Sequence, residues 1–456
     1  MEITCRVYRP RRARESPLFR LVERHVEELL RVWPRRFART HGPLRPVVER
    51  VLREFLTCGL AEHGFARAWC STCRKSDLIP YSCRGRSFCP SCEKKRSLLW
   101  AEWLHQEVLA PVPHRHVVMT IPRLLRPLLR RRRELLQDLA RCASDALGAY
   151  VRSGLSADVR PGIVVSIATA GDLAQWHPHL HILASDGGFS AEGTFHPLEQ
   201  WDGEAVMKLF REALLERLVR KHAISKELRA KLLAWRHPGF STHVGEPIPP
   251  NDARAIEDMA SYVVRNPISL KRLVYIDGQQ AVIYRALKPN PRLGANFVAM
   301  DPLEWLARMA DHIPDPGKHR TLFYAYYGNR ARGARAKEKE LLEGAKAEAP
   351  KKRRCSPSCR SPAPSADSQL LLASPASRAR LISKVYNADP LTCRECGGQL
   401  QIVAYINDHF TIKKFLDHLG LSPPEIERPP PQIRYVPVDD EGRELEGMAA
   451  EGLHSP

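Results

Sequence analysis

The chain has 456 residues, enough for two or three domains with buried cores. It contains 71 lysines and arginines against 51 aspartates and glutamates, a formal charge of +20, and the stretch from Arg67 to Arg133 carries 15 basic and 4 acidic residues. This concentration favours nucleic acid over a membrane surface as the partner. Apolar runs are too short to span a bilayer and no secretory leader is visible, so we expect a soluble, cytoplasmic protein without a membrane partner.

Apolar periodicity predicts an α+β chain that begins with two amphipathic helices, at 17–32 and 44–60. A cysteine-rich stretch over 58–92 follows, then a helix over 94–109. Further helices are predicted at 123–150, 204–222, 251–265 and 303–313. Strands are predicted at 116–121, 162–169 and 179–185, with hairpins after Asp186-Gly187-Gly188 and around Asp277-Gly278. The three strands and the hairpins indicate an antiparallel sheet flanked by helices.

Composition changes after the last predicted helix. From Arg330 to Ser368 the sequence predicts a charged helix followed by a linker. The Pro-rich tail from Ser422 is predicted to be disordered. We therefore divide the chain into an N-terminal helical region, a cysteine-rich domain, a central domain that contains the predicted sheet, a linker, a small C-terminal module and a tail, at 1–66, 67–112, 113–330, 331–377, 378–421 and 422–456.

Paired cysteines predict a structural zinc site. Cys70-x-x-Cys73 and Cys89-x-x-Cys92 are separated by fifteen residues, the spacing of a zinc ribbon in which two knuckles complete one tetrahedron. Cys58 and Cys83 are left over, either as buried apolar residues or as an extension of the site with His63. Cys393 and Cys396 form a third pair, either a glycine-rich turn or a zinc site completed by Cys355, Cys359, His409 or a second chain.

Basic side chains surround the predicted ribbon and a neighbouring helix. We expect these side chains to contact the backbone of a nucleic acid: Arg84, Arg86, Lys94, Lys95, Arg96, Arg130, Arg131, Arg132 and Arg133. The nearby rings of Trp69, Tyr81 and Phe88 fit either base stacking or a small core.

Residues 176–183 read WHPHLHIL, with histidines at every second position. On a strand, His177, His179 and His181 project from one side, and neighbouring imidazoles there can converge on one ion. Pro178 predicts that the strand begins at His179, which leaves His179 and His181 as the working pair. Three interpretations stay open: an inert histidine-lined edge, a nucleotide hydrolase with a histidine nucleophile, and an HUH nuclease with a metal ion and a catalytic tyrosine.

A tyrosine on a helix distinguishes these interpretations. Tyr262 lies in a predicted helix that ends before Pro267, and Arg265 follows it by almost one turn. A neighbouring cation and a metal-polarised phosphate would favour attack by the phenol oxygen. A second group of tyrosines could supply the nucleophile instead: Tyr324, Tyr326 and Tyr327. Their alternating aromatic pattern is more typical of a strand that closes the sheet.

Several motifs in consistent order resemble one family over about residues 45–420. They are SCRGRSFCPSCEKKR, HRHVVMTIP, WHPHLHIL, YVVRNPISL and DPLTCRECGGQLQIVAYI, and the chain resembles the insertion-sequence-91 family of rolling-circle transposases, in the HUH superfamily. The resemblance implies that His179 and His181 bind Mg²⁺ or Mn²⁺, that Tyr262 is the nucleophile, and that Cys70, Cys73, Cys89 and Cys92 bind zinc.

The resemblance also implies an activity. Tyr262 would nick single-stranded DNA at element ends, form a 5′-phosphotyrosine and transfer the strand by a rolling-circle route. Where two-tyrosine members carry a second tyrosine this chain has Asp258, so it is similar to the single-tyrosine common-region elements. The third metal ligand stays open among Asp258, Asp172, Asp186 and His177.

Two other functions stay open. A plasmid replication initiator or relaxase would use the same chemistry on another substrate, and a zinc-ribbon DNA-binding protein would use none. The expected partners are single-stranded element ends and target DNA in a bacterial nucleoid, and the oligomeric state, including a homo-oligomer, is open.

Overall fold

The structure, a computed structural model, describes residues 13–85, 87–235, 239–264, 266–290, 295–344, 393 and 395–421. Its α-helices are α1 (Pro17–Arg36), α2 (Ala38–His41), α3 (Pro46–Leu56), α4 (Pro90–Trp103), α5 (Arg126–Arg131), α6 (Leu135–Gly154), α7 (Gly203–Arg220), α8 (Lys226–Ala234), α9 (Ala253–Val263), α10 (Pro302–Asp311), α11 (Asn329–Gly344) and α12 (His409–His418). Among the described residues, none of these helices combines the length and the apolar character needed to cross a lipid bilayer.

The strands are β1 (Phe65–Cys70), β2 (Ser76–Pro80), β3 (His114–Thr120), β4 (Gly162–Ala170), β5 (Trp176–Ser185), β6 (Gly187–Phe189), β7 (Phe195–Pro197), β8 (Ser241–Ile248), β9 (Leu273–Ile276), β10 (Ala281–Asn290), β11 (Ala295–Met300), β12 (Thr321–Ala325) and β13 (Leu400–Ile406). The largest sheet has five antiparallel strands in the order β12-β4-β5-β3-β8. The predicted antiparallel sheet flanked by helices is therefore confirmed, with the histidine strand β5 at its centre.

Strand alternation gives this sheet two different faces. Leu180, Ile182 and Ala184 of β5 point to a large apolar core built with α5, α6, α7 and α8. His179, His181 and Leu183 point to the opposite face, where Leu183 joins a smaller apolar cluster. The part of this second face that carries the histidines lies beside a cleft.

Two helical segments cover the second face. Trp100, Ala101 and Leu104 come from α4 and the π-helical turn that follows it, and Ala260 comes from α9. Because α9 carries Tyr262, the packing of Ala260 against this cluster brings the tyrosine to the histidine face of β5. The predicted helix at 251–265 is confirmed in its position, although it begins at Ala253 and ends at Val263.

The N-terminal helices form a separate core. Buried residues of α1 and α3, among them Leu21 and Phe55, pack with α10 and with the small sheet of order β11-β10-β9. That sheet contains the hairpin predicted around Asp277-Gly278.

Several predicted boundaries were wrong, among them the following three. The strand of WHPHLHIL begins at Trp176 rather than at His179, because Pro178 lies where the β4–β5 register shifts and its missing N–H leaves the rest of the ladder intact. The helix predicted over 123–150 breaks between Arg131 and Leu135, where Arg132 leaves helical geometry with ψ at 74°. The helix predicted from 94 begins at Pro90, directly after Cys89.

The C-terminal strand β13 joins the cysteine-rich region. It pairs antiparallel with β1, with Phe65 opposite Ile406 and Cys70 opposite Leu400, in a sheet of order β13-β1-β2. Residues far apart in sequence thus share one three-stranded sheet.

Candidate active site and cysteine clusters

The side chains of β5 place two imidazole nitrogens face to face. The Nε2 atoms of His179 and His181 are 3.1 Å apart, and His177 lies beside His179 with ring centroids 5.0 Å apart. An octahedral ion with bonds of about 2.1 Å separates neighbouring ligand atoms by about 3.0 Å. The pair therefore has the spacing of two adjacent ligands of one divalent ion.

The hydrogen bonds around His179 set its tautomer. Its Nδ1 lies 2.7 Å from the carbonyl oxygen of His177, and a carbonyl can only accept, so Nδ1 carries the proton. The neutral ring then has its lone pair on Nε2, the nitrogen that faces His181. Metal-binding histidines are commonly oriented by a hydrogen bond of this kind.

A fourth histidine, which we did not predict, lies within hydrogen-bonding distance of His181. His116 of β3 brings its Nε2 to 3.0 Å from Nδ1 of His181, and the two rings stack at 5.2 Å. Burial, together with the smaller effect of nearby His243, lowers the pKa of His116 from 6.5 to about 4. A neutral His116 can accept the proton of His181 Nδ1, which frees Nε2 of His181 for an ion. The signal in the sequence is the HRHVV motif, whose His116 shares a sheet face with His181.

Tyr262 lies at the edge of this histidine cluster. Its ring meets His181 edge to face with centroids 5.4 Å apart, and it meets His116 in the same manner at 5.9 Å. The residue is 41% exposed, so a ligand as large as a nucleic acid strand can reach part of its side chain. The structure thus brings the ring of a tyrosine from a distant helix next to the histidines of β5.

The candidates for a third metal ligand differ in their surroundings. The Asp258 side chain is 79% exposed and lies 3.9 Å from Arg254, and Asp186 pairs with Arg115 and accepts a hydrogen bond from Trp201. Asp172 lines the cleft that also contains the histidines, where it pairs with Arg272 at 2.7 Å. His177 lines the same cleft, and burial lowers its pKa to about 4. Among the described residues, no compact group of three or more His, Cys, Asp or Glu includes His179 and His181.

The cleft beside the histidines carries cations. Arg272 and Arg320 line it together with Asn266 and Ser269. Arg265, predicted to assist Tyr262, lies outside the described residues, as does Arg86. Arg320 was not predicted, since its role depends on where β12 falls in the sheet.

Arg320 connects the cleft to the cysteine-rich region. It donates to Ser87 Oγ at 2.6 Å, pairs with Glu93 of α4 at 3.5 Å, and donates to the carbonyl oxygen of Ile167 on β4. It also lines a second cavity with Arg96, Lys318 and His319. The Arg320 side chain thus connects α4 to the central sheet and lies between two neighbouring cavities.

The rival tyrosines are engaged elsewhere. Tyr324 lies on β12, the closing strand that we expected, and burial raises its pKa to about 12. Tyr327 is fully buried, with its hydroxyl 2.7 Å from His114 Nε2, and Tyr326 stacks on Phe189 at 3.7 Å. All three are held by packing and hydrogen bonds rather than presented at the histidine pair.

The cysteines form two clusters rather than the predicted single site. Cys70, Cys73, Cys89 and Cys92 do not share one tetrahedron: Cys89 and Cys92 group with Cys58 and Cys83. Sulfur–sulfur distances in this group are 3.6 Å for Cys58–Cys89 and Cys58–Cys92 and 3.7 Å for Cys83–Cys92. Four sulfurs at about 2.3 Å from Zn²⁺ lie about 3.8 Å apart, so this group fits zinc. Cys58 and Cys83 are members of the site, and His63 is not among its ligands.

The other cluster joins distant parts of the chain. Cys70 and Cys73 group with Cys393 and Cys396, with sulfurs 3.5 Å apart for Cys70–Cys396 and 3.4 Å for Cys73–Cys393. His409, one of the ligands suggested for a site with Cys393 and Cys396, is therefore not part of the cluster. Two other suggested ligands, Cys355 and Cys359, lie outside the described residues. Spacing within a sequence cannot reveal which knuckles meet in the fold.

The basic residues predicted to bind DNA fall into two groups. Arg84, Lys94, Arg96 and Arg131 are exposed, and Lys95 is half-buried. Arg133 is instead committed to Asp315 and to the carbonyl oxygens of Asp311 and Ile313, and burial lowers its pKa to about 10.

Two neighbours of Arg133 also bind within the protein. Arg130 pairs with Asp311 at 3.4 Å, and Arg132 with Glu134 at 2.9 Å. Of the weighed aromatic residues, Phe88 is fully buried against Phe55, which favours the core interpretation for that ring.

Comparisons with known proteins find similarity to transposases. Residues 29–121 match a family model described as "Transposase zinc-binding domain", and residues 162–336 match one described as "Putative transposase". The chain is 26% identical over 308 residues to the transposase for insertion sequence element IS801 of Pseudomonas savastanoi pv. phaseolicola, covering 64% of this chain and 73% of the relative. It is 25% identical over 349 residues to "Putative transposase y4qJ" of Sinorhizobium fredii, covering 71% and 85%. No solved structure matches the chain significantly.

Proposed function

Since the chain belongs to the insertion-sequence-91 family of transposases, we propose that it cuts and transfers single-stranded DNA at element ends with Tyr262 as the nucleophile. The observation that supports this proposal is the contact between the Tyr262 ring and the His181 ring, at 5.4 Å between centroids. A helical tyrosine that only filled a core would be buried, whereas this side chain is 41% exposed beside two facing imidazoles.

The residues fit a divalent ion of the Mg²⁺ or Mn²⁺ type. His179 and His181 would hold it through Nε2, with His179 oriented by the His177 carbonyl and His181 by His116. Such an ion, when bound, withdraws electron density from the scissile phosphate. Asp172 and His177 in the same cleft are the remaining candidates to complete the site.

The proposed first step is an in-line displacement. The Tyr262 oxygen forms a bond to phosphorus while the bond from phosphorus to the 3′-oxygen breaks. The phenol gives up one proton and the departing 3′-oxygen gains one, so the products are a 5′-phosphotyrosine and a free 3′-OH. Because one phosphodiester replaces another, the ester conserves the energy of the original bond.

The second step reverses the first with a different strand. A 3′-OH of the target attacks the phosphotyrosine, the new phosphodiester forms, and the Tyr262 oxygen leaves and regains a proton. A single tyrosine is sufficient for each exchange, which agrees with Asp258 at the place of a second tyrosine.

Cations around the cleft would hold the DNA backbone. The candidates are Arg84, Lys94 and Arg96, which are exposed in the cysteine-rich region that Arg320 joins to the cleft through Glu93. The buried Arg133 is excluded from this role by its partners.

The test is an adduct assay with labelled single-stranded DNA that carries an element end, in the presence of Mn²⁺. Tyr262→Phe should abolish the covalent adduct and keep DNA binding, and His179→Ala or His181→Ala should lower adduct formation by several orders of magnitude. Tyr405→Phe, an exposed tyrosine on β13, is the matched control and should react like the unmodified protein. An adduct that persists in Tyr262→Phe and disappears in Tyr326→Phe would overturn the proposal.

The same assay separates this proposal from a DNA-binding protein without chemistry, which would form no adduct at all. A replication initiator or relaxase would form the adduct as well. Excision and insertion of a marked element in cells that express the chain distinguishes the transposase from these.

A further inference from the structure

We infer that Cys70, Cys73, Cys393 and Cys396 form a second structural zinc site, which fastens the C-terminal segment 393–421 to the N-terminal cysteine-rich region. All four sulfurs lie within 4.8 Å of one another. The matched family models end at residues 121 and 336, so neither of them includes Cys393 or Cys396. The inference does not depend on the proposed nuclease chemistry.

The sulfur distances fit a tetrahedral ion and not a disulfide. Cys70–Cys396 and Cys73–Cys393 are 3.5 and 3.4 Å apart, whereas a disulfide bond is about 2.05 Å long. Four thiolates around Zn²⁺ give sulfur separations of about 3.8 Å. Both halves of the cluster contribute a Cys-x-x-Cys turn, the usual geometry of a zinc knuckle.

The turn at Cys393 is shaped to receive an ion. Gly397 adopts φ of +71° and donates its N–H to the carbonyl oxygen of Cys393, and the N–H of Gly398 points to Sγ of Cys396 at 3.4 Å. A Cβ at Gly398 would lie 3.0 Å from Thr72 Oγ1 and 3.3 Å from Cys396 Sγ. Glycine therefore lets the two knuckles approach each other closely.

Few buried apolar residues surround the cluster, so we expect the C-terminal segment to need a metal ion to stay attached. The buried apolar residues around it are Ala68, Cys70, Cys393 and Leu400, and a second patch combines Phe65 with three residues of the C-terminal segment. The Lys75–Glu395 ion pair that bridges the two knuckles is about 60% exposed on both sides, so it adds little. Small modules of this kind commonly rely on a metal for their stability.

The site has a consequence for the organisation of the chain. Strand β13 extends the β1–β2 hairpin, so the chain's C-terminal segment completes a sheet that begins near residue 65. The catalytic sheet lies between these two parts in sequence. A zinc ion here would close a loop of more than 300 residues, because Cys73 and Cys393 are separated by 320 positions.

The first experiment measures zinc in the purified full-length chain by mass spectrometry. We expect two equivalents in the unmodified protein, one in Cys393→Ser/Cys396→Ser, and one in Cys83→Ser/Cys92→Ser. Glu395→Ala, which removes only the exposed ion pair, should keep two. One equivalent in the unmodified protein, or two in the Cys393→Ser/Cys396→Ser variant, would overturn the inference.

A second experiment does not depend on how well the serine variants fold. A specific protease site is introduced into residues 345–392 of the otherwise unmodified chain, and the cleaved protein is analysed by size-exclusion chromatography. The C-terminal fragment should co-elute with the remainder and separate from it when a chelator removes the zinc. Separation of the fragment while both zinc equivalents stay with the larger piece would contradict the inference.

Discussion

The ring of Tyr262 on α9 stands edge to face against the ring of His181 on β5, at an interplanar angle of 84°. The two residues are far apart in sequence, and their contact depends on the buried apolar cluster that includes Ala260 of α9 and Leu183 of β5. The chemistry proposed for the chain therefore depends on the fit between one helix and one strand.

We predict that His116→Ala slows adduct formation by 10- to 100-fold, because His181 loses the hydrogen-bond partner that fixes its ring. A residue that orients a ligand changes the affinity for the ion, so the apparent Mn²⁺ concentration for half-maximal rate should rise, and excess Mn²⁺ should restore part of the rate.

His243→Ala is the control for this change. His243 is exposed on β8, on the same face of the sheet, and it makes no hydrogen bond to the pair on β5 among the contacts of the described residues. The rate of adduct formation should stay within about twofold of the unmodified protein. An equal loss of rate in both variants, without a change in the Mn²⁺ requirement, would refute the role of His116.

Cys58→Ser should be as damaging as Cys89→Ser, since both thiols belong to the same cluster. We expect each change to release one zinc equivalent and to lower the thermal midpoint by several degrees, as measured by metal analysis and circular dichroism. Cys142→Ser replaces another buried thiol, on α6 and outside both clusters, and should leave the zinc content unchanged. A Cys58→Ser protein with full zinc content would restore the prediction that Cys58 is merely a buried apolar residue.

Arg320→Gln should lower the free energy of unfolding by about 3 kcal/mol, because it leaves the buried carboxylate of Glu93 without its cation. Adding Glu93→Gln should recover part of the loss, and urea denaturation of both single variants and the double variant measures the coupling. Arg308→Gln, which breaks a half-buried pair with Glu304 within one helix, should cost less than about 1 kcal/mol. Strictly additive losses at Arg320 and Glu93 would show that the pair is not coupled.

Periodicity and motif order were sufficient to predict the elements that carry the site. The alternation in WHPHLHIL placed the histidines on one face of a strand, and the apolar spacing around Tyr262 placed it on a helix. Local patterns of this kind show which face of a helix or strand is buried, and burial of apolar side chains also stabilises these elements. The boundary error at Pro178 arose because a register shift in the partner strand accommodates the missing N–H.

Contacts between distant segments could not be predicted in this way. The spacing of Cys70, Cys73, Cys89 and Cys92 is compatible with one site, and only the pairing of β13 with β1 shows that Cys393 and Cys396 compete for Cys70 and Cys73. The roles of His116 and Arg320 likewise depend on which strands are neighbours. Sequence spacing carries no information on that choice when the connecting chain is long.

Stability should decrease between pH 7 and pH 5 partly because of His312. This side chain is fully buried: Nε2 donates to the carbonyl oxygen of Ala174, and Nδ1 lies 3.0 Å from the Thr169 hydroxyl. Burial lowers the pKa of His312 from 6.5 to about 4. Because the pKa of His312 is lower in the folded state than in the unfolded state, the neutral ring stabilises the protein at pH above 6.5. This contribution is lost as the pH falls towards 4, and the loss between pH 7 and pH 5 is roughly 2 kcal/mol.

His312→Gln tests this dependence, because an amide can donate and accept the same hydrogen bonds without titrating in this range. Free energies of unfolding are measured at pH 7 and pH 5 with excess zinc, so that the cysteine sites contribute equally to both proteins. The variant should be less stable than the unmodified protein at pH 7, and the difference should shrink by roughly 2 kcal/mol at pH 5. If the difference is the same at both pH values, His312 does not change its protonation on unfolding, and the decrease in stability must come from other groups.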